Sequence, residues 1–227
     1  MRRSLILTAL LGLGGGTMPI LLAGDLSQYR NFQFGMTPSA VLKQAGGNVS
    51  ETKVIHKAPA LIEEIVWSPQ RRATPFGESD SVKEVSFRFY NGELFQMAVA
   101  YDRYKTEGLT AADLTEAISA STNSIPTHPD AEIIFPSTYN ESVKVLARWE
   151  DANYTFNLVR VDYQQGFAMI LFSKQMEGIA RAATIQALKL EEQQAPQREI
   201  ELQKKQEQDR RVQEEKTRLL NKPGFRP

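Results

Sequence analysis

Two histidines, one pair of adjacent carboxylates and one cluster of interleaved aromatic and basic side chains are the residues of this chain that could do chemistry. His56 falls in a strand-like stretch and His128 in a proline-containing connection, and neither has a neighbour at metal-ligand spacing. A lone imidazole so placed reads as a surface or satisfied residue. Glu63-Glu64 could form a general acid–base couple only on one surface, but adjacent strand positions project to opposite faces. The absence of cysteine excludes disulfides, thiolate metal sites and cysteine nucleophiles. No nucleophile elbow, glycine-rich phosphate loop or metalloprotease helix is present, since the glycines from Gly12 to Gly16 fall in an N-terminal leader. The sequence therefore points to no catalytic residue, no metal and no cofactor.

What remains is recognition chemistry. Tyr101-Asp102-Arg103-Tyr104-Lys105 alternates aromatic and charged side chains, and Tyr and Arg are the types enriched at interface hot spots. Tyr101, Arg103 and Tyr104 are the candidate partner-binding residues. Arg71-Arg72, in a polar loop from Ser68 to Ser81, are candidate contacts for an anionic partner. The competing readings are a strand end whose Arg covers a Tyr ring, and a solvated loop.

The elements that would position these residues repeat. Gly35-Met36-Thr37-Pro38-Ser39-Ala40-Val41 returns, altered, as Gly108-Leu109-Thr110-Ala111-Ala112-Asp113-Leu114. Each copy is a helix start: a Gly to turn the chain, a Thr to accept from first-turn amides, then helix formers. Pro38 suits the first helical position, and Asp113 completes a box with Thr110. The first helix should run from about Pro38 to Ala45 and stop at Gly46-Gly47, the second from about Ala111 to Ala120. Strand-patterned sequence follows both, so the expectation is an α+β fold of two helix-then-antiparallel-strand repeats, forming a sheet layered with helices.

In the first unit, residues 25–105, strands are expected at Thr52–Lys57, Leu61–Trp67 and in a hairpin over Val82–Asp102. A three-residue loop, Tyr90-Asn91-Gly92, would pair Phe87 with Phe95 and Val85 with Met97, setting Val85, Phe87 and Phe89 on one face with Phe95, Val99 and Tyr101. In the second unit, residues 106–174, a proline-containing connection holds Glu132-Ile133-Ile134-Phe135. Three strands follow it, the first alternating Val143, Val145, Ala147 and Trp149 on one face.

The ends have other compositions. Arg2-Arg3, an apolar run and Pro19 to Gly24 read as a signal peptide, residues 1–24, cleaved after Ala23 or Gly24. If it stays uncleaved it is the chain's one membrane contact. At the other end, Met176, Ile179 or Ala180, Ala183, Ala187 and Leu190 form one helical stripe, so residues 175–195 should dock on the globular part. Pro196 should kink or restart the helix, leaving 196–227 as a charged helical or disordered tail with Glu201–Lys205, Glu207–Arg211 and Glu214–Arg218 at four-residue spacing. A coiled coil could form there on meeting a partner.

Phe34-Gly35-Met36-Thr37, with Val41 four residues on and then Gly46, resembles the helix opening of the small α+β accessory lipoprotein of the outer-membrane β-barrel assembly machine and of tandem-repeat β-lactamase inhibitor proteins. The chain departs from the lipoprotein pattern in lacking the lipidated cysteine. Taken whole, it looks like one of the uncharacterised exported families of soil bacteria. That resemblance implies a fold and a periplasmic or secreted location, and carries no catalytic residues across.

Lys and Arg balance Asp and Glu at 27 each, which argues against a nucleic-acid partner. The reading reached is a non-enzymatic protein-interaction module of the bacterial envelope, its partner another envelope protein. The alternatives are a proteinaceous enzyme inhibitor presenting the Ser68–Ser81 loop, or a hydrolase built on scattered Asp, Glu and His128.

Overall fold

A computed structural model describes residues 24–46, 49–69, 80–136, 142–161, 166–224 and 226. The leader before Gly24, Arg71 with Arg72 and most of the Ser68–Ser81 loop lie outside the described residues.

After a short hairpin of β1 (Gln28–Tyr29) and β2 (Phe32–Gln33) comes helix α1 (Pro38–Ala45). Four strands follow: β3 (Lys53–His56), β4 (Ile62–Trp67), β5 (Val82–Tyr90) and β6 (Glu93–Tyr101). The second half repeats the plan with α2 (Ala111–Thr122), β7 (Glu132–Ile134), β8 (Ser142–Glu150), β9 (Tyr154–Val161) and β10 (Gly166–Ser173). Helix α3 (Lys174–Asn221) and a 3₁₀ turn, Lys222–Gly224, end the chain. The eight long-sheet strands stand in the order β3-β4-β5-β6-β10-β9-β8-β7. Each half is a meander, and the last strands of the two halves pair antiparallel at the centre, Val99 opposite Met169.

Both helix starts form as their sequences demand. Thr37 accepts from the Ala40 amide at 3.3 Å. Thr110 and Asp113 form a reciprocal box, the Asp113 amide donating to Thr110 Oγ1 at 3.2 Å and the Thr110 amide to Asp113 Oδ2 at 2.7 Å. Val41 of α1 and Leu114 and Ile118 of α2 bury against one face of the sheet, with Phe87, Met97, Trp149, Leu158 and Leu171. Each such large side chain removed from water contributes roughly 1.5–3 kcal/mol.

Four expectations are corrected. The β5–β6 turn has two residues, Asn91-Gly92, both with positive φ (48° and 84°) as a type I′ turn requires. Phe89 therefore faces Leu94, and the extra residue is Phe95, after which Gln96 pairs with Arg88 and Met97 with Phe87. The bulge arises because Leu94 uses its backbone elsewhere: it accepts from the Gly35 amide and donates to the Met36 carbonyl, both at 2.9 Å. Phe95 leaves the Phe87 face and joins Gln96 and Arg88 on the other.

In β8 a second bulge, between Val145 and Ala147, splits the expected stripe. Ala147 and Trp149 enter the core under α1 and α2, whereas Val143 and Val145 join Ile133, Val159, Ala168, Ile170 and Phe172 on the opposite face. The Ile133 segment, read only as part of a connection, is the edge strand β7, pairing Ile133 with Val143. Finally, α3 is one helix with Pro196 in its interior.

That helix begins straight after β10 and folds back over the second face. Ala180, Ala183 and Ala187 are its buried residues, and their small side chains let it lie close to the sheet. Ile179 and Leu190, the larger candidates for that stripe, are exposed. Every residue from 192 to 224 is exposed.

Candidate functional site

The antiparallel order β6-β10-β9 brings three chain segments to one end of the sheet: the end of β6, the start of β10 and the end of β9. A groove of about 420 Å³ opens there, lined by Arg103, Tyr104, Leu109, Arg160 and Phe167, among others. The Arg103 guanidinium sits 4.6 Å from the Tyr104 ring centroid, and its Nη2–H donates to the Tyr104 hydroxyl at 2.7 Å. Arg160 sits 5.0 Å from the centre of the Phe167 ring. Tyr104 is 70 % exposed and Leu109 44 %. Stacking occupies the flat face of a guanidinium, so apart from the Arg103 Nη2–H given to Tyr104 the in-plane N–H groups remain for carboxylates, of which Glu107 is one on the groove itself.

The structure thus keeps Arg103 and Tyr104 together at the surface and separates Tyr101 from them. Tyr101 packs against the core, where burial pushes its phenol above the ordinary value, and it senses Tyr29, Arg30 and Asp80. Arg160 and Phe167 were missed by sequence reading. Facing each other in the β9–β10 register, they could have been found from a correct pairing, though neither stands out alone.

A second concavity lies between α3 and the sheet. One part, about 90 Å³, is lined by His56, Arg88, Phe95, Gln96, Phe172 and Ala180, among others. His56 is buried, and its Nδ1 is 2.9 Å from Glu191 Oε1, joining β3 to the last docked turn of α3. Arg88 Nε–H donates to Glu64 Oε1 at 3.2 Å, and the Ser86 hydroxyl reaches the same oxygen at 2.9 Å. Glu63 pairs in register with Phe89, whose ring belongs to the other core, so the two glutamates do face apart. His128 is elsewhere, exposed, its Nδ1–H donating to the Leu146 carbonyl at 3.0 Å. The two histidines share no site, and among the described residues no group of three or more His, Asp or Glu could hold a metal ion.

The other part of this concavity, about 270 Å³, lies under the first turns of α3 and is lined by Ile133, Arg148, Glu150, Thr155, Asn157, Phe172, Lys174 and Arg181, with Glu132 and Glu177. Asn157 is 1 % exposed. Its Oδ1 accepts from Arg148 Nε at 2.7 Å, while its Nδ2 donates to the Ile170 carbonyl at 3.1 Å.

The class this arrangement defines is an α+β protein: one antiparallel sheet with two short helices on one face and a long C-terminal helix on the other. No family model matches this chain, and no curated protein or solved structure matches it either.

Proposed function

We propose that this chain is an exported, non-enzymatic interaction module of the bacterial envelope that holds another envelope protein. The observation that carries the reading is α3, whose residues 192–221 are exposed throughout. At ~1.5 Å per residue the thirty exposed helical positions project by roughly 45 Å. Side-chain pairs within this segment, such as Arg211 to Glu207 at 2.6 Å and Arg218 to Glu215 at 3.0 Å, contribute only ~0.2–0.5 kcal/mol each. Most helical stability in proteins comes from packing an apolar face rather than from propensity, and Ile200, Leu202, Val212, Leu219 and Leu220 are exposed apolar positions along it. A partner laid on these residues supplies the missing packing. The Arg103–Tyr104–Arg160 groove is the second contact surface, suited to carboxylates.

Crosslinking in the native envelope tests this with three chains: the intact one, one lacking residues 196–227, and Arg103→Glu combined with Arg160→Glu. The expected result is one protein partner recovered by the intact chain and lost or depleted with both variants. Identical recovery from all three, or none from the intact chain, overturns the reading.

A further inference from the structure

The cleft under the first turns of α3 contains two groups that the fold leaves unused. Thr155 Oγ1 is buried and has no hydrogen-bond partner among the described residues. A buried hydroxyl left so loses its hydration with nothing to offset it, and native structures rarely leave one without a purpose. The other is Arg148. Of the three cations lining the cleft, Lys174 is neutralised by Glu150 at 2.8 Å and Arg181 by Glu177 at 2.9 Å. Arg148 donates through Nε to the neutral amide of Asn157, which the Ile170 carbonyl holds in place, and it feels the charge of Glu150 without a salt bridge to any carboxylate among the described residues. Ile133 and Phe172 add an apolar wall.

We propose that this cleft binds a small organic monocarboxylate. Arg148 receives the carboxylate through its free edge, the Thr155 hydroxyl donates a further hydrogen bond, and the apolar part of the ligand lies on Ile133 and Phe172. Three carboxylates, Glu132, Glu150 and Glu177, line the cleft with its three cations, and Arg148 is the cation without a salt bridge among the described residues, so a single carboxylate is the most the cleft can take. The planar guanidinium matches the planar carboxylate, and a cavity of about 270 Å³ accommodates a ligand of benzoate size. Asn157 acts as a positioning residue, fixing Arg148 by its Nε–H.

Benzoate is the probe, titrated into the ¹⁵N-labelled full-length protein while the side-chain amide of Asn157 and the backbone amides of β8 and β9 are followed by NMR. Saturable shifts at these groups are expected with benzoate and not with benzamide, its uncharged isostere, nor with inorganic phosphate, which has no apolar part. Arg148→Gln should weaken benzoate at least tenfold. Thr155→Val, which removes a hydroxyl the fold does not use, should leave stability equal or raised while weakening benzoate about two- to tenfold, the equivalent of one hydrogen bond. No saturable shift with benzoate, equal binding of benzamide or phosphate, or unchanged affinity in Thr155→Val overturns the proposal. The Thr155 variant decides the matter even if Arg148→Gln does not fold.

Discussion

The indole Nε1–H of Trp149 donates to the Ser119 hydroxyl at 3.0 Å, tying the last turns of α2 to a strand whose ring is sealed in the core. Ser119→Ala leaves that buried N–H without an acceptor and should cost about 1–2 kcal/mol in urea unfolding. Trp149→Phe removes the donor with part of the ring and should cost more, since a cavity is added. In the double variant the two losses should not add, the shortfall being about 0.5–1.5 kcal/mol. Strict additivity would mean that this bond does not secure α2.

Acid should weaken the fold through a second pair. Arg30 grips Asp80 with both terminal nitrogens, at 2.6 and 2.7 Å, and this contact holds the Asp80 carboxyl below its ordinary value. The folded carboxyl therefore binds its proton less readily than the unfolded one. Its stabilising contribution is complete above the unfolded value of about 3.9 and is lost as pH falls through the lower folded value. Glu150, lowered chiefly by Lys174, adds in the same direction. Asp80→Asn should be less stable than the native chain by about 1 kcal/mol at pH 7, screened as a partly exposed pair must be. The gap should narrow as pH falls below the unfolded value, and a constant gap across the titration would refute the assignment.

The two helix starts differ in how much they hold. Thr110 sits in a reciprocal box, whereas Thr37 makes one amide bond at 3.3 Å and also lies 3.1 Å from the Ser39 hydroxyl. Thr110→Ala should therefore cost about 1–2 kcal/mol and Thr37→Ala about half that or less. The check is a pair of thermal melts on otherwise identical chains, and a larger loss at Thr37 would reverse the ranking.

These caps were legible because capping chemistry is local: Thr, Pro and Asp within four residues contain all the information. The same holds for α+β class, for the helix stop at Gly46 and for the alternation of Val85, Phe87 and Phe89 along β5. The bulges at Phe95 and Leu146 were not legible, because their causes are remote in sequence. Leu94 bonds the Gly35–Met36 turn, and the Leu146 carbonyl accepts from His128. A shift of one residue then reassigns every side chain beyond it, which moved Phe95 and split Val145 from Trp149. Likewise Arg160 joined Arg103 only through the central β6–β10 pairing. The local cost of Pro196 predicts a kink or a fresh start, yet α3 continues through it as one helix on a stretch where Glu192, whose carbonyl loses its donor, is exposed.

The β5–β6 turn offers a direct test of the corrected register. Asn91 holds φ at 48°, its amide donates to the Leu61 carbonyl at 2.8 Å, and its Oδ1 accepts from the Leu61 amide at 3.0 Å. Asn91→Ala loses the side-chain bond and strains a left-handed position, so it should cost about 1–3 kcal/mol. Asn91→Gly keeps the backbone at ease and should cost less. If Asn91 lay at the centre of a three-residue loop, with only Gly92 left-handed, the two variants would rank the other way, because glycine adds unfolded-state entropy without relieving strain.

Helix α3 should separate cleanly into a part that belongs to the fold and a part that does not. Ala187 is 1 % exposed, four residues before Glu191, whose contact with His56 marks the last turn held against the sheet. Ala187→Leu forces extra methylenes between helix and sheet and should destabilise by about 1–3 kcal/mol. Deleting residues 196–227 removes only exposed side chains among the described residues and should leave the melting temperature of the remainder within about 1 °C, below the ~2–4 °C shift that a 1 kcal/mol loss produces in a chain of this size. Far-ultraviolet circular dichroism of the truncated chain should meanwhile fall by the helical signal of the deleted segment. A truncation as costly as Ala187→Leu would mean that the projecting half supports the sheet, and the surface assigned to a partner would then belong to the fold itself.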